Sequence, residues 1–170
     1  MCFHIGSGQP DYSSGVEFAS KRFYTQSLPP LHAFNSLVSF GIPTKFPGVR
    51  WGFIETGASW VPHMIYQMQR RMKRLRPEAG SSAYEYKKPS DFVTLNKFYI
   101  TAQVDEDLPY ILKYTTEDNL MAGSDYTHAD SSMEMDFVQL LQKRADEGDI
   151  PQSAVPKIVG ENAAKFYGLK

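Results

Sequence analysis

Val49-Arg50-Trp51-Gly52-Phe53-Ile54-Glu55-Thr56-Gly57-Ala58-Ser59-Trp60, residues 49–60, begins as an apolar, β-prone run and ends as the start of a helix. Val49 to Ile54 reads as a strand, Glu55-Thr56-Gly57 as its exit, and Ser59 as the N-cap of a helix reaching about Leu75. Within that helix Trp60, Met64, Met68, Met72 and Leu75 fall at helical spacing, and Val61 and Ile65 widen the apolar stripe. A strand feeding a helix in this way is a βα unit, and units of this kind build parallel sheets.

The same order recurs on both sides. Upstream, Cys2 to Ile5 is a short strand ending on His4, followed by Gly6-Ser7-Gly8-Gln9-Pro10 as a loop. Leu31 to Phe46 is expected as a helix with Leu31, Phe34, Leu37, Val38 and Phe40 on one side, broken by Pro43, Pro47 and Gly48. Downstream, past a polar stretch from Pro77 to Lys88, Phe98 to Val104 is the third strand, with Asp105 capping a helix through Tyr114. Glu106 and Asp107 suit the positive end of its dipole. Leu120 to Ala122 is the fourth strand, and Ser132 to Arg144 a helix burying Phe137, Leu140 and Leu141, with Ser131 and Glu134 resembling a capping box. Two short helices, Pro151 to Val159 and Glu161 to Tyr167, close the chain, with Gly160 as the C-cap between them.

Composition narrows the function. The 170 residues are 42% hydrophobic and 22% charged, which suits a single globular α/β domain over residues 1–170. Eighteen Lys and Arg against nineteen Asp and Glu leave a net charge of -1. Nucleic acid is therefore a poor partner, because its binding needs a basic face. The basic run Arg70, Arg71, Lys73, Arg74, Arg76 reads as a solvated helix end suited to the last carbonyls. No apolar run approaches the roughly 18 residues of a membrane span, and the start lacks the pattern of a secretory signal. With a single cysteine, Cys2, expected as a buried small hydrophobe, the chain is expected to be cytoplasmic.

In parallel βα folds, functional side chains collect at the carboxyl ends of the strands, where the loops converge. Three of the four strands end near a chemistry-bearing group: His4, Glu55 and Asp125. The third offers Thr101 and Gln103 instead. Each alone also reads as a hydrogen-bonded strand end, a turn residue or a cap. Their occurrence at equivalent places in successive units favours a shared mouth. One imidazole and two carboxylates suit Zn²⁺, Mn²⁺ or Fe²⁺, and a carboxylate there can serve as a general base.

The stretch Asn119-Leu120-Met121-Ala122-Gly123-Ser124-Asp125-Tyr126-Thr127-His128 resembles the Gly-Ser-Asp-Tyr-Pro-His signature of amidohydrolase-related enzymes, including the aminocarboxymuconate semialdehyde decarboxylase group. Lys45-Phe46-Pro47-Gly48-Val49-Arg50 through Glu55 to Pro62 is similar to the same family around its sixth barrel strand. Gly160-Glu161-Asn162-Ala163-Ala164-Lys165-Phe166-Tyr167-Gly168-Leu169 is similar to its C-terminal helix. The resemblance implies a (β/α)₈ barrel of which this chain holds strands five to eight and the closing helices. It also implies a divalent metal, usually zinc, and a small-molecule substrate, with carboxylates among the candidates.

By the same resemblance Asp125 corresponds to the strand-eight Asp that binds metal or moves a proton, and His4 to the strand-five His ligand. Glu55 stands where the decarboxylase branch carries a His followed by glycines, and Thr127 replaces the usual Pro. The family's strand-one His-x-His pair has no counterpart, since His32 and His63 fall in helices and His128 belongs to the Asp125 loop. A barrel needs eight strands and roughly 250 residues. The sequence thus reads as the C-terminal part of a metal-dependent hydrolase, with Asp125, Glu55 and His128 as catalytic residues and His4 and Asp125 as metal ligands. Its partner is expected to be a missing N-terminal half or another copy of the chain. Two rivals stand beside this reading: a non-oxidative decarboxylase on the same scaffold, and a non-catalytic half-barrel that pairs through strand edges.

Overall fold

The computed structural model describes residues 1–5, 23–72, 86–128 and 133–169. Among them four strands, β1 (Cys2–His4), β2 (Trp51–Ile54), β3 (Phe98–Ala102) and β4 (Leu120–Ala122), form one all-parallel sheet in chain order. Phe3 lies in register with Phe53, Phe53 with Ile100, and Ile100 with Leu120. Because side chains alternate along a strand, this row faces one side of the sheet, the side on which the main core forms. The helices that cover it are α1 (Leu28–Ser39), α2 (Ile42–Lys45), α3 (Val61–Met72), α4 (Asp91–Thr94), α5 (Leu108–Leu112) and α6 (Phe137–Asp146). The chain closes with α7 (Ala154–Pro156), a π-helical turn at Lys157–Glu161, and α8 (Asn162–Tyr167).

Aromatic rings weld helices to sheet. Phe53 lies 5.4 Å from Phe98 and 5.3 Å from Trp60, and Phe34 of α1 lies 5.3 Å from Phe98. Phe34, Phe53 and Phe98 are fully buried, which makes each worth about 1.5–3 kcal/mol of transfer free energy. On the opposite face Phe166 of α8 packs with Tyr99 and Met121. A Cβ on Gly52 would stand 2.6 Å from the Phe166 ring, so the seat of α8 requires glycine there.

Several expectations are corrected by this structure. The helix expected over 31–46 is two helices, because Gly41 takes a left-handed φ of 60° and ends α1; Phe40, expected in its apolar stripe, is exposed. The helix expected from Ser59 starts at Val61, with Ser59 engaged elsewhere, and is described as far as Met72; Leu75 and the basic residues beyond Met72 lie outside the described residues. The third strand ends at Ala102 rather than Val104, because the Gln103 N–H turns aside to a side chain. Asp107, not Asp105, caps α5, accepting from the Tyr110 N–H at 3.0 Å.

At α6 the helix starts at Phe137, Leu140 faces solvent, and Glu134 accepts from the Asp136 N–H; Ser131 lies outside the described residues. Gly160 sits inside the π-helical turn, and the C-cap is Gly168, at φ 73°. Cys2 is exposed, because among the described residues β1 is an edge strand with a neighbour only at β2.

The closing segment is tied to the loop before β4 through polar groups. Glu117 accepts from Lys157 Nζ at 2.6 Å and from Ser153 Oγ at 2.7 Å, and Lys157 also reaches Asp118 at 2.8 Å. The bond from Lys157, then that from Ser153, holds the Glu117 carboxyl below the usual carboxylate range. A depressed folded value stabilises above the ordinary glutamate pKa, and that stabilisation is lost as pH falls through the lowered one. The expected outcome is a gap in melting temperature between the wild-type chain and Glu117→Gln that is full at pH 7 and narrows as pH falls below about 4. Thermal unfolding of both proteins at pH 7 and pH 3 measures it, and a gap independent of pH would contradict the ion-pair account.

Candidate metal centre

The site is built where β2 and β4 end on either side of β3. Leaving β2, Glu55 takes a left-handed φ of 59°, unusual for a residue with a Cβ. The Thr56 N–H then donates to Thr101 Oγ1 at 3.4 Å, and Thr101 Oγ1 donates to the Phe53 carbonyl at 3.3 Å. Gly57 follows at φ 60°, where glycine is at ease, and its carbonyl accepts from Trp60 Nε1 at 2.9 Å.

Leaving β4, the Gly123 N–H donates to the Ala102 carbonyl at 2.9 Å. A Cβ on Gly123 would come within 3.0 Å of that same oxygen. Asp125 is again left-handed, at φ 48°, and its carbonyl accepts from the His128 N–H at 3.1 Å. Two strand exits thus carry non-glycine residues in a conformation that costs of order 1 kcal/mol or more each. Both of those residues are carboxylates.

The consequence is a row of four side chains. His4 Nε2 lies 2.5 Å from Glu55 Oε2; His128 Nδ1 lies 3.6 Å from Glu55 Oε1 and 2.7 Å from Asp125 Oδ1. The Asp125 side chain is 10% exposed and that of Glu55 23%, whereas both imidazoles are more than half exposed. The carboxylates are therefore anchored in the floor while the imidazoles reach in from the rim. His4 Nδ1 also faces the Ile5 carbonyl. Beneath lies a cavity of about 200 Å³ whose polar lining includes Glu55, Thr101, Gln103, Ser124 and Asp125.

Glu55, Asp125 and His128 each offer a ligand atom within 4.8 Å of the others. Four ligands around a zinc at ~2.1 Å stand about 3.4 Å apart. The 3.6 Å separation lies near that spacing and the 2.7 Å pair is at hydrogen-bond distance, so it is the donor types, one imidazole and two carboxylates, that suit a divalent ion of the Zn²⁺, Mn²⁺ or Fe²⁺ class. All four residues singled out in the sequence meet here. His128 rather than His4 completes the three-residue group, and His4 stands on the other oxygen of Glu55.

The residue that the sequence reading overlooked is Glu106, read there as a helix-dipole group. Its carboxylate accepts from the Ala58 and Ser59 N–H groups, the Ser59 hydroxyl and the Gln103 N–H, at 2.6 to 3.0 Å. Only its place in an acidic run just beyond a strand end hinted at a special role.

The family model described as Amidohydrolase matches residues 3–169. The chain belongs to the amidohydrolase family. Among solved structures this amidohydrolase chain is similar to an amidohydrolase from Mycobacterium avium subsp. paratuberculosis K-10, at 18% identity and a TM-score of 0.72, with 99% of this chain and 42% of that one covered. It is also similar to 5-carboxyvanillate decarboxylase LigW from Sphingomonas paucimobilis, at 16% identity and a TM-score of 0.67, covering 99% of this chain and 49% of that one. A third likeness, to apo IDCase from Metarhizium anisopliae, has 13% identity and a TM-score of 0.53, covering 94% and 46%. A comparison with curated proteins gives no match. The chain spans less than half the length of each of these solved structures. Its four parallel βα units are half of a (β/α)₈ barrel, and the site lies at the carboxyl end of the strands, where such barrels do their chemistry.

Thr127, at φ 78°, is a β-branched residue in the left-handed region. Thr127→Gly is expected to stabilise the fold by about 0.5–1 kcal/mol, the relieved strain exceeding the added freedom of the unfolded chain. Denaturant unfolding checks it, and a loss of stability would show that the threonine side chain holds the loop.

Proposed function

We propose that this chain is the C-terminal portion of a metal-dependent hydrolase, with Glu55, Asp125 and His128 holding a divalent cation, Zn²⁺ by preference, and Asp125 moving the proton. The observation that carries this reading is the convergence of those three side chains within 4.8 Å at the carboxyl ends of β2 and β4. A cation bound there supplies a Lewis acid that polarises a carbonyl and acidifies water.

The protein's own groups do the rest. Asp125, whose Oδ1 lies 2.7 Å from His128 Nδ1, orients that imidazole in the metal-free site and is the base placed to take a proton from water. His4, against Glu55 Oε2, either adds a ligand or keeps that carboxylate from turning away. Gln103 and Ser124 in the cavity wall offer hydrogen bonds to the polar end of a small substrate, a carboxylate among the candidates. The remaining strands of the barrel come, in this reading, from a segment N-terminal to residues 1–170 or from a second copy, docking at the open edge of β1.

A second reading, non-oxidative decarboxylation, draws on the likeness to a protein named as a 5-carboxyvanillate decarboxylase. Glu55 at the end of β2 speaks for the hydrolase, because in the decarboxylase branch that place resembles a His followed by glycines.

Zinc titration of the chain by calorimetry is expected to show one weak site, since both imidazoles are more than half exposed and water competes for the ion there. Asp125→Asn and Glu55→Gln should each lower the affinity at least tenfold, with metal-free stability changed by no more than about 0.5 kcal/mol, because both changes are nearly isosteric. Equal zinc binding by all three proteins would remove the metal assignment. In the completed barrel, Asp125→Asn should abolish turnover. Release of CO₂ from 5-carboxyvanillate by the wild-type barrel would instead favour the second reading.

A further inference from the structure

We infer that Glu106 is the positioning residue of the centre: its carboxylate holds the β2–α3 loop so that Glu55 is presented to His4 and His128. The inference rests on the reading of Glu55 as a site residue and goes beyond it by naming what sets its position. The Glu106 Oε1 atom accepts from the Ala58 N–H at 2.9 Å, the Ser59 N–H at 2.7 Å and the Ser59 hydroxyl at 2.6 Å. The Oε2 atom accepts from the Gln103 N–H at 2.8 Å and shares the Ala58 N–H at 3.0 Å. One carboxylate therefore joins two loops that both border the 200 Å³ cavity. It also lies directly over Gly57: a Cβ there would meet Oε1 at 3.0 Å.

The geometry explains why the loop has to be held. Glu55 and Gly57 are both left-handed, at φ 59° and 60°. A loop bearing a glutamate in that region relaxes unless its surroundings over-determine it. Of the donors that fix it, Ala58 and Ser59 are spoken for by Glu106, and the Thr56 N–H has only a long 3.4 Å bond to Thr101.

Glu106 is itself braced from a third direction. Arg144 of α6 donates through Nη1 to the Glu106 carbonyl at 2.7 Å and to the Val104 carbonyl, and through Nε to Asp149. A carboxylate is the group this place needs, since every partner is a donor. An amide could satisfy one oxygen's partners only by turning its NH₂ toward the others.

The test uses the chain as it is, with Co²⁺ as the probe and two readouts. The first is Co²⁺ affinity from its visible absorbance. The second, made without metal, is the set of NMR contacts between the Glu55 side chain and the rings of His4 and His128. Glu106→Gln and Glu106→Ala are compared with wild type and with Ile150→Val, a buried change that removes none of these hydrogen-bonding groups and sets the scale for a merely destabilising substitution. Ser59→Ala removes a single donor and serves if Glu106→Ala fails to fold.

The expected result is a Co²⁺ affinity at least tenfold lower in the Glu106 variants, graded from Ser59→Ala through Gln to Ala. The Glu55–imidazole contacts should be lost in step, with no comparable change in Ile150→Val. Unchanged contacts and affinity in Glu106→Gln, or an equal fall in Ile150→Val, would overturn the proposal. If wild type takes up no Co²⁺, the metal reading fails by itself and the metal-free contacts decide: their loss in the Glu106 variants upholds the positioning role, and their persistence overturns it.

Discussion

The arrangement of the site depends on how Phe53 is packed. Its ring is fully buried and meets Phe3, Phe34, Trp60 and Phe98, so one side chain ties three strands to α1 and to the start of α3. Its carbonyl accepts from Thr101 on the neighbouring strand. With Phe53 fixed from both sides, strand alternation sets the point at which the chain leaves the sheet toward Glu55, two residues on. A cavity left by a smaller residue at this position would loosen the core at a cost of about 3–5 kcal/mol and release the exit of β2 with it.

The two left-handed carboxylates follow from that fixity. A rigid parallel sheet delivers strand ends to one mouth, but each chain must then turn away toward a helix. At β2 and β4 the turn is made at or within three residues of the strand end, through Glu55 and Asp125, rather than by glycine alone. The strain is tolerable because each turn is tied down by contacts from elsewhere: Glu106 and Thr101 at the first, the Ala102 carbonyl and the His128 N–H at the second. Strain at two carboxylate positions, offset by the surrounding structure, is the local condition on which the proposed site rests.

This division also explains what was legible in the sequence. Strand β4 falls at Leu120 to Ala122 as read, and the Met64, Ile65 and Met68 stripe is buried as read, because both signals are local periodicities. Phe40 and Leu140 were assigned to the core by the same periodicity and are exposed. Period fixes a face, whereas the end of a helix and the neighbour it meets depend on Gly41 and on packing from distant segments. His4, Glu55 and Asp125 were legible because strand ends in parallel sheets point to one place. Glu106 was not, since its partners at Ala58 and Ser59 are backbone groups 47 or 48 residues away, which no side-chain pattern announces.

The two edges of the half-barrel are not equivalent, and the difference bears on how the fold is completed. At β4 the Leu120 carbonyl, pointing away from β3, already accepts from Asn162 Nδ2 at 2.7 Å, and the same amide reaches the Glu117 carbonyl at 2.7 Å. The start of that edge is satisfied by the chain's own closing segment, which blunts it against adventitious pairing. At β1, Cys2 and His4 are exposed, and among the described residues a groove of about 680 Å³ lies between the strand and α1, lined by Phe3, Leu37 and Phe40 among others. An open strand beside an apolar groove offers both backbone hydrogen bonds and side-chain burial to one incoming βα unit. Because His4 lies at the end of that same strand and its imidazole rests on Glu55, the exposed edge of β1 is linked directly to the converging side chains at the strand ends.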